Sequence, residues 1–125
     1  MQHPPPNSTW LPAYAALKSP TQEVQEAEIP KPQLPPTSLR QAQTNFLLDK
    51  LQEEAAEVIQ AVNKIRRFGE SSHHPDRTTT NKQDLENELE DFLAILAALE
   101  YCKYLDLVPH QPNILQKTHK LMLWP

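Results

Sequence analysis

Glycine and cysteine are the residue types that this chain of 125 residues most clearly lacks. Gly69 is its one glycine, whereas a turn-rich all-β domain, a dinucleotide-binding fingerprint or a P-loop each needs several. Cys102 is its one cysteine, which excludes an internal disulfide and argues against a small secreted domain. No stretch approaches the roughly 18 apolar residues of a membrane span, and the N-terminus lacks the pattern of a signal peptide. We therefore expect a soluble, cytoplasmic protein with no membrane partner.

The net charge limits the possible partners of the chain, and the distribution of proline divides the chain into two regions. Sixteen acidic and 12 basic residues give a net charge of −4, which argues against a nucleic acid polymer as partner. Nine of the 13 prolines lie in the first 36 residues. Such spacing permits neither a helix of normal length nor a strand, so residues 1–37 are predicted to be a disordered, proline-rich tail. Residues 38–125 are predicted to form the folded, helical domain.

A long helix is predicted to begin at Ser38, an N-cap residue with Gln41 three positions later, as in a capping box. Gly69 is predicted to end it. Between them the sequence contains no proline or glycine, and it is compatible with one helix or with two that meet at a kink before Gln52. The apolar residues recur at steps of three and four, which is a helical stripe: Leu47, Leu51, Ala55, Val58, Val62 and Ile65.

Two further helices are predicted after a polar loop. Asn81 is the predicted N-cap of the second helix, which should end near Leu107, before Pro109. A shorter third helix should run from Pro112 to about Leu123. The expected fold is all-α: an antiparallel helical hairpin with a short C-terminal helix. A chain of this size buries too little surface alone, so we expect a homodimer or homotetramer that completes a four-helix-type bundle.

Each long helix carries a pair of acidic residues three positions apart. The pairs are Glu54 with Glu57 and Glu88 with Asp91, and three residues place two side chains about 60° apart on a helix. Glu54 borders the apolar arc of its helix, and Glu88 lies inside the apolar stripe of the other. A carboxylate removed from water without a partner is costly, and four facing acids repel one another.

A hard divalent cation would neutralise such a group of acids. Mg²⁺ fits best, because it takes oxygen ligands and binds substrate phosphates while using few protein carboxylates. Cysteine and histidine are missing from the stripe, which argues against zinc. Neither helix has the Glu-x-x-His motif of di-iron bundles. The spacing predicts a magnesium site, but it does not identify a substrate.

At these residues the chain resembles the MazG-like, all-α nucleoside triphosphate pyrophosphohydrolases. The family motifs read here as Glu53-Glu54-Ala55-Ala56-Glu57 and Glu88-Leu89-Glu90-Asp91, and the resemblance covers about residues 39–107. It implies that Glu54, Glu57, Glu88 and Asp91 hold Mg²⁺ and catalyse hydrolysis of a (deoxy)nucleoside triphosphate to a monophosphate and pyrophosphate. It also favours Lys64 and Arg67, in the basic segment that closes the first helix, as phosphate-binding residues. The chain departs from the family at Glu90, where a small residue is usual.

Two alternatives stay open from the sequence. One is a non-catalytic helical dimerisation module whose acids flank a seam between subunits. The other is an enzyme similar to phosphoribosyl-ATP pyrophosphohydrolase. Hydrolysis of a phosphoanhydride needs charge neutralised on the transferring oxygens and a positioned water. One acid would orient or deprotonate that water, and Glu53 is a candidate outside the predicted metal ligands.

Overall fold

The computed structural model describes residues 36–123 together with Pro30, Gln33 and Leu34. These residues contain three α-helices and no strand: α1 (Thr37–Phe68), α2 (Asn81–Tyr101) and α3 (Gln111–Met122). The predicted all-α class is therefore confirmed. The predicted tail lies almost wholly outside the described residues. Over the part of the chain that is described, no helix has both the length and the apolar character needed to cross a membrane.

The first helix is continuous, so the alternative of two helices with a kink is wrong. It spans 32 residues, or about 48 Å at the usual rise. The predicted start at Ser38 is also wrong: Pro36 is the N-cap, no side chain caps the helix, and the Leu39 N–H donates to the Pro36 carbonyl at 2.9 Å. Proline suits this place because its φ is already restricted and it has no N–H to leave unpaired.

The end of α1 agrees with the prediction. Gly69 is the C-cap, with φ of 91°, and its N–H donates to the Ile65 carbonyl at 2.8 Å. A positive φ is costly for residues with a Cβ and open to glycine. The one glycine of the chain therefore stands where the backbone requires it.

The N-cap of the second helix lies one residue earlier than predicted. Thr80, and not Asn81, is the N-cap: its hydroxyl accepts from the Gln83 N–H at 3.1 Å, and the Gln83 side chain accepts from the Thr80 N–H at 2.9 Å. The Asn81 side chain instead donates to the Gly69 carbonyl at 2.9 Å. Both residue types are good caps, and two contacts favour Thr80: its capping box with Gln83 and the hydrogen bond that holds the Asn81 side chain on Gly69.

The second helix ends at Tyr101, six residues before the predicted end near Leu107, so this prediction is wrong. Lys103 takes a φ of 65°, and the N–H groups of Tyr104 and Leu105 both donate to the Leu99 carbonyl, at 3.1 and 3.2 Å. Glycine or asparagine normally marks such a left-handed turn. Neither is present here, so the local sequence carries no signal for this stop.

Residues 34–105 form one compact unit, an antiparallel hairpin of α1 and α2. Asn81 meets Gly69 at the loop end, while at the opposite end the Cys102 thiol donates to the Gln43 side chain at 3.4 Å. Among the described residues, the buried hydrophobic side chains are Ala61 and Leu99 alone. Large apolar side chains such as Phe46 and Ile59 are about 60% exposed. The hairpin thus buries little of its own apolar surface.

Residues 106–123 lie outside that unit. A 3₁₀ turn (Val108–His110) containing Pro109 leads into α3. The predicted third helix is confirmed to within one residue at each end. Leu115, Leu121 and Met122 are exposed on it.

Candidate metal centre

Three of the four predicted acids come together between the two helices of the hairpin. Glu54 and Glu57 lie one turn apart on α1, Glu88 lies on α2, and each contributes a carboxylate oxygen within 4.8 Å of the other two. We call these three residues the acid cluster. All three are partly buried, as the position of Glu88 in an apolar stripe predicts. The antiparallel pairing of the helices brings the two motifs to the same level.

Glu54 is the member whose surroundings least favour a charge. Its Oε2 atom is buried and has no hydrogen-bond partner. Burial raises the pKa of the Glu54 carboxyl, and the charges of Glu57, Asp91 and Glu53 raise it further, partly opposed by Lys50. A buried acceptor without a donor is rare in folded proteins and needs an explanation, such as a bound ion.

Glu88 is perturbed in the same direction. Burial is the largest cause of its raised pKa, followed by a hydrogen bond and charge repulsion from Glu57, and then by the charges of Glu54 and Asp91. Carboxylates from both helices therefore repel one another in this cluster. The neighbouring carboxylates disfavour ionisation of Glu54 and Glu88, which is the usual effect of like charges at short range.

Asp91, the fourth predicted ligand, lies at the edge of this group. Its side chain is exposed, and it is not among the residues whose oxygens lie within 4.8 Å of one another. Its charge still raises the pKa of both Glu54 and Glu88, which places it nearby. Glu53 is exposed and forms an ion pair with Lys50 at 2.9 Å. Glu53 thus has a partner of its own.

The donor set suits a hard divalent cation. Its members are carboxylate oxygens, one of them buried and unpartnered, with no histidine or cysteine in the cluster. Mg²⁺ prefers oxygen ligands and keeps several waters when a protein supplies a few carboxylates. A zinc site would require nitrogen or sulfur ligands in most cases. His73 and His74 lie exposed in the loop between the helices and are not members of the cluster.

The two predicted phosphate-binding cations have different surroundings. Lys64 is partly buried and lines an open cavity of about 560 Å³ at the loop end of the hairpin, together with Phe68, Ser72, His74, Arg77 and Asp84. We call this the loop cavity. Arg67 is exposed, and its guanidinium lies over the Phe68 ring, 5.2 Å from the centroid. Arg67 is not among the residues that line the loop cavity.

Sequence reasoning missed the part of this region contributed by residues 77–84. Asp84 accepts hydrogen bonds from the Thr79 hydroxyl and from Arg77 Nη1, the latter at 3.4 Å. The Asn81 N–H donates to the Ser72 carbonyl at 2.7 Å, and Lys82 N–H donates to the Glu70 carbonyl at 3.0 Å. These bonds order the loop against the start of α2. A capping signal was visible in the sequence, but the presence of Arg77 and Lys64 in the lining of one cavity was not.

Comparisons with models of protein families, with curated proteins and with solved structures find no match for this chain.

Proposed function

We propose that this protein is a Mg²⁺-dependent nucleotide pyrophosphohydrolase of MazG-like type, which converts a (deoxy)nucleoside triphosphate to a monophosphate and pyrophosphate. The observation that carries the proposal is the acid cluster. Three carboxylates from two helices converge within 4.8 Å, and one of their oxygens is buried without a partner. Glu88 belongs to a different helix from Glu54 and Glu57, so the cluster arises from the packing of the hairpin and not from residue spacing within one helix.

Glu54, Glu57 and Glu88 would hold the cation, and Asp91 would approach it from the exposed edge. When bound, Mg²⁺ supplies charge neutralisation for the phosphate oxygens of the substrate. A carboxylate at the edge of the site, Asp91 or Glu53, would orient the attacking water and accept its proton. Glu53 must release Lys50 for that role, since the two form an ion pair. Lys64 would bind a phosphate group.

Product analysis on a nucleotide panel tests this function. The wild type should release pyrophosphate from at least one triphosphate in the presence of Mg²⁺ and not after chelation. Glu57→Gln should lower turnover about a hundredfold or more, because it removes a charge at the reacting centre. Glu86→Gln is the matched control, since Glu86 is exposed on α2 and outside the cluster. If the protein released pyrophosphate from phosphoribosyl-ATP and from no nucleoside triphosphate, the result would favour an enzyme similar to phosphoribosyl-ATP pyrophosphohydrolase instead.

Self-association is part of the same proposal. Among the described apolar residues of the hairpin, Ala61 and Leu99 are buried, whereas Phe46 and Ile59 are exposed, so a second copy would cover surface that water now contacts. Sedimentation should give a dimer or a tetramer. Ile59→Asp should shift the distribution toward the monomer, and Gln60→Asp, at a neighbouring exposed position, should not.

The same apolar surface also supports a second candidate, a non-catalytic helical interaction module. Thermal melts separate the two functions. A metal site stabilises the folded state by mass action when Mg²⁺ is added, whereas a bare subunit seam does not respond to it. A protein that dimerises without any response to Mg²⁺ or any hydrolysis would be this module.

A further inference from the structure

Lys64 lines the loop cavity and has no side-chain partner among the residues that the structure describes. Its side chain is partly buried and lines the loop cavity, yet it forms no hydrogen bond or ion pair with the described residues. Lys50 and Arg67 differ from Lys64 in this respect: Lys50 pairs with Glu53, and Arg67 lies over Phe68. A partly buried ammonium loses hydration, and an anion from outside the chain would restore the lost interactions.

Arg77 lines the same cavity and has donors to spare. Its Nη1 donates to Asp84 at 3.4 Å, and its side chain is 53% exposed. A guanidinium has five N–H donors in a fixed fork, so most of them remain available for a planar or tetrahedral oxyanion.

Two carboxylates also line the cavity, and their surroundings limit their effect on an anion. Asp84 is only 12% exposed and accepts from both Thr79 and Arg77, so it acts as an anchor for the Arg77 guanidinium. Asp76 is 87% exposed and lies 3.5 Å from the His74 ring. Solvent screens a carboxylate as exposed as Asp76.

The loop cavity and the acid cluster follow one face of the hairpin. Lys64 comes seven residues after Glu57, which offsets it by only about 20° around α1 and about 10 Å along its axis. Its Cβ is tilted toward the helix N-terminus, that is, toward Glu57. On α2, Asp84 precedes Glu88 by one turn on a similar face. A ligand of nucleotide length can therefore contact both.

We propose that the loop cavity binds the pyrophosphate portion of the substrate and that Lys64 and Arg77 are the residues that contact it. The identity of the ligand rests on the proposed function, whereas the affinity of the cavity for an oxyanion rests on the two cations alone. The Arg77 guanidinium can donate two parallel hydrogen bonds to one phosphate group, whereas the Lys64 ammonium acts as a point charge. Arg67 is assigned no part in it.

Calorimetric titration of the full chain with inorganic pyrophosphate, in the absence of divalent cations, tests the cavity directly. Lys64→Gln and Arg77→Gln should each weaken binding about tenfold, the usual loss for a charged hydrogen bond. Arg66→Gln is the matched control, because Arg66 is exposed in the last turn of α1 and outside the cavity. It should change the affinity less than about twofold. Arg77→Lys, which keeps the charge without the fork, should fall between wild type and Arg77→Gln.

Equal binding by wild type and Lys64→Gln would overturn the proposal, and so would an equal loss in the Arg66→Gln control. Circular dichroism shows that the compared variants are folded. Steady-state kinetics with a triphosphate then separates the two proposals. Hydrolysis with KM unchanged in Lys64→Gln and Arg77→Gln contradicts the cavity site and leaves the enzyme in place. Pyrophosphate binding that depends on Lys64 and Arg77, without hydrolysis by the wild type, supports the cavity and contradicts the enzyme.

Discussion

Removing one charge from the acid cluster should stabilise the metal-free protein. The substitution is Glu88→Gln, which keeps the shape of the side chain and replaces the carboxylate with an amide. Burial raises the pKa of the Glu88 carboxyl, and a hydrogen bond with Glu57 and repulsion by the Glu57 charge raise it further. An amide can donate a hydrogen bond to the Glu57 carboxylate without needing a proton from solution. The change therefore removes a repulsion and retains a contact.

The separation of the carboxylates sets the magnitude. The cluster oxygens lie within 4.8 Å of one another, and two unit charges at that upper limit repel by about 1 kcal/mol in bulk water and about 3 kcal/mol at an effective dielectric constant near 20. Glu57 and Glu88 are only partly buried, so the lower value applies. For a unit of this size, a gain of about 1 kcal/mol raises the melting temperature by roughly 4–8 °C.

Thermal melts near neutral pH, with chelator and then with excess Mg²⁺, measure both consequences. In chelator, Glu88→Gln should melt above wild type. In Mg²⁺, the wild type should gain stability and Glu88→Gln should gain less, because a ligand has been removed. Glu86→Gln, the same change at an exposed position of α2, should match wild type in both conditions. A Glu88→Gln variant that melts at or below wild type in chelator would refute the repulsion argument.

Two further predictions concern the hairpin. The raised pKa values of Glu54 and Glu88 mean that their protonated forms favour the folded state, so this contribution is full below about pH 4.5 and is lost as the pH rises through the folded pKa values. The difference in melting temperature between metal-free wild type and Glu88→Gln should accordingly be small in acid and grow toward neutral pH; a constant difference would contradict this linkage. Leu99→Ala should cost about 2–5 kcal/mol, since Leu99 is fully buried and its loss leaves a cavity. Urea unfolding measures this cost, and a loss below about 1 kcal/mol would show that Leu99 is not central to the packing.

Local sequence signals predicted the helices well where a residue had one available role. Gly69 ended α1 as predicted, because its positive φ of 91° suits glycine. The N-cap of α2 is Thr80 and not the predicted Asn81. Gln83, three residues after Thr80, completes a capping box, and the Asn81 side chain donates to the distant Gly69 carbonyl instead. The predicted end of α2 was six residues too late, since no sequence rule predicts a left-handed conformation at Lys103.

The candidate site shows the same division. Helical periodicity alone predicted that Glu54 and Glu57 share a face of α1 and that Glu88 lies among apolar residues, because both follow from the fixed geometry of a helix. Four features depend on how α1, α2 and their loop pack: the distances of the acid cluster, the unpartnered oxygen of Glu54, the exposed position of Asp91, and the place of Lys64 and Arg77 in one cavity. Periodicity acts within one helix, whereas these features arise between helices, where side chains far apart in sequence compete for the same space and the same hydrogen bonds.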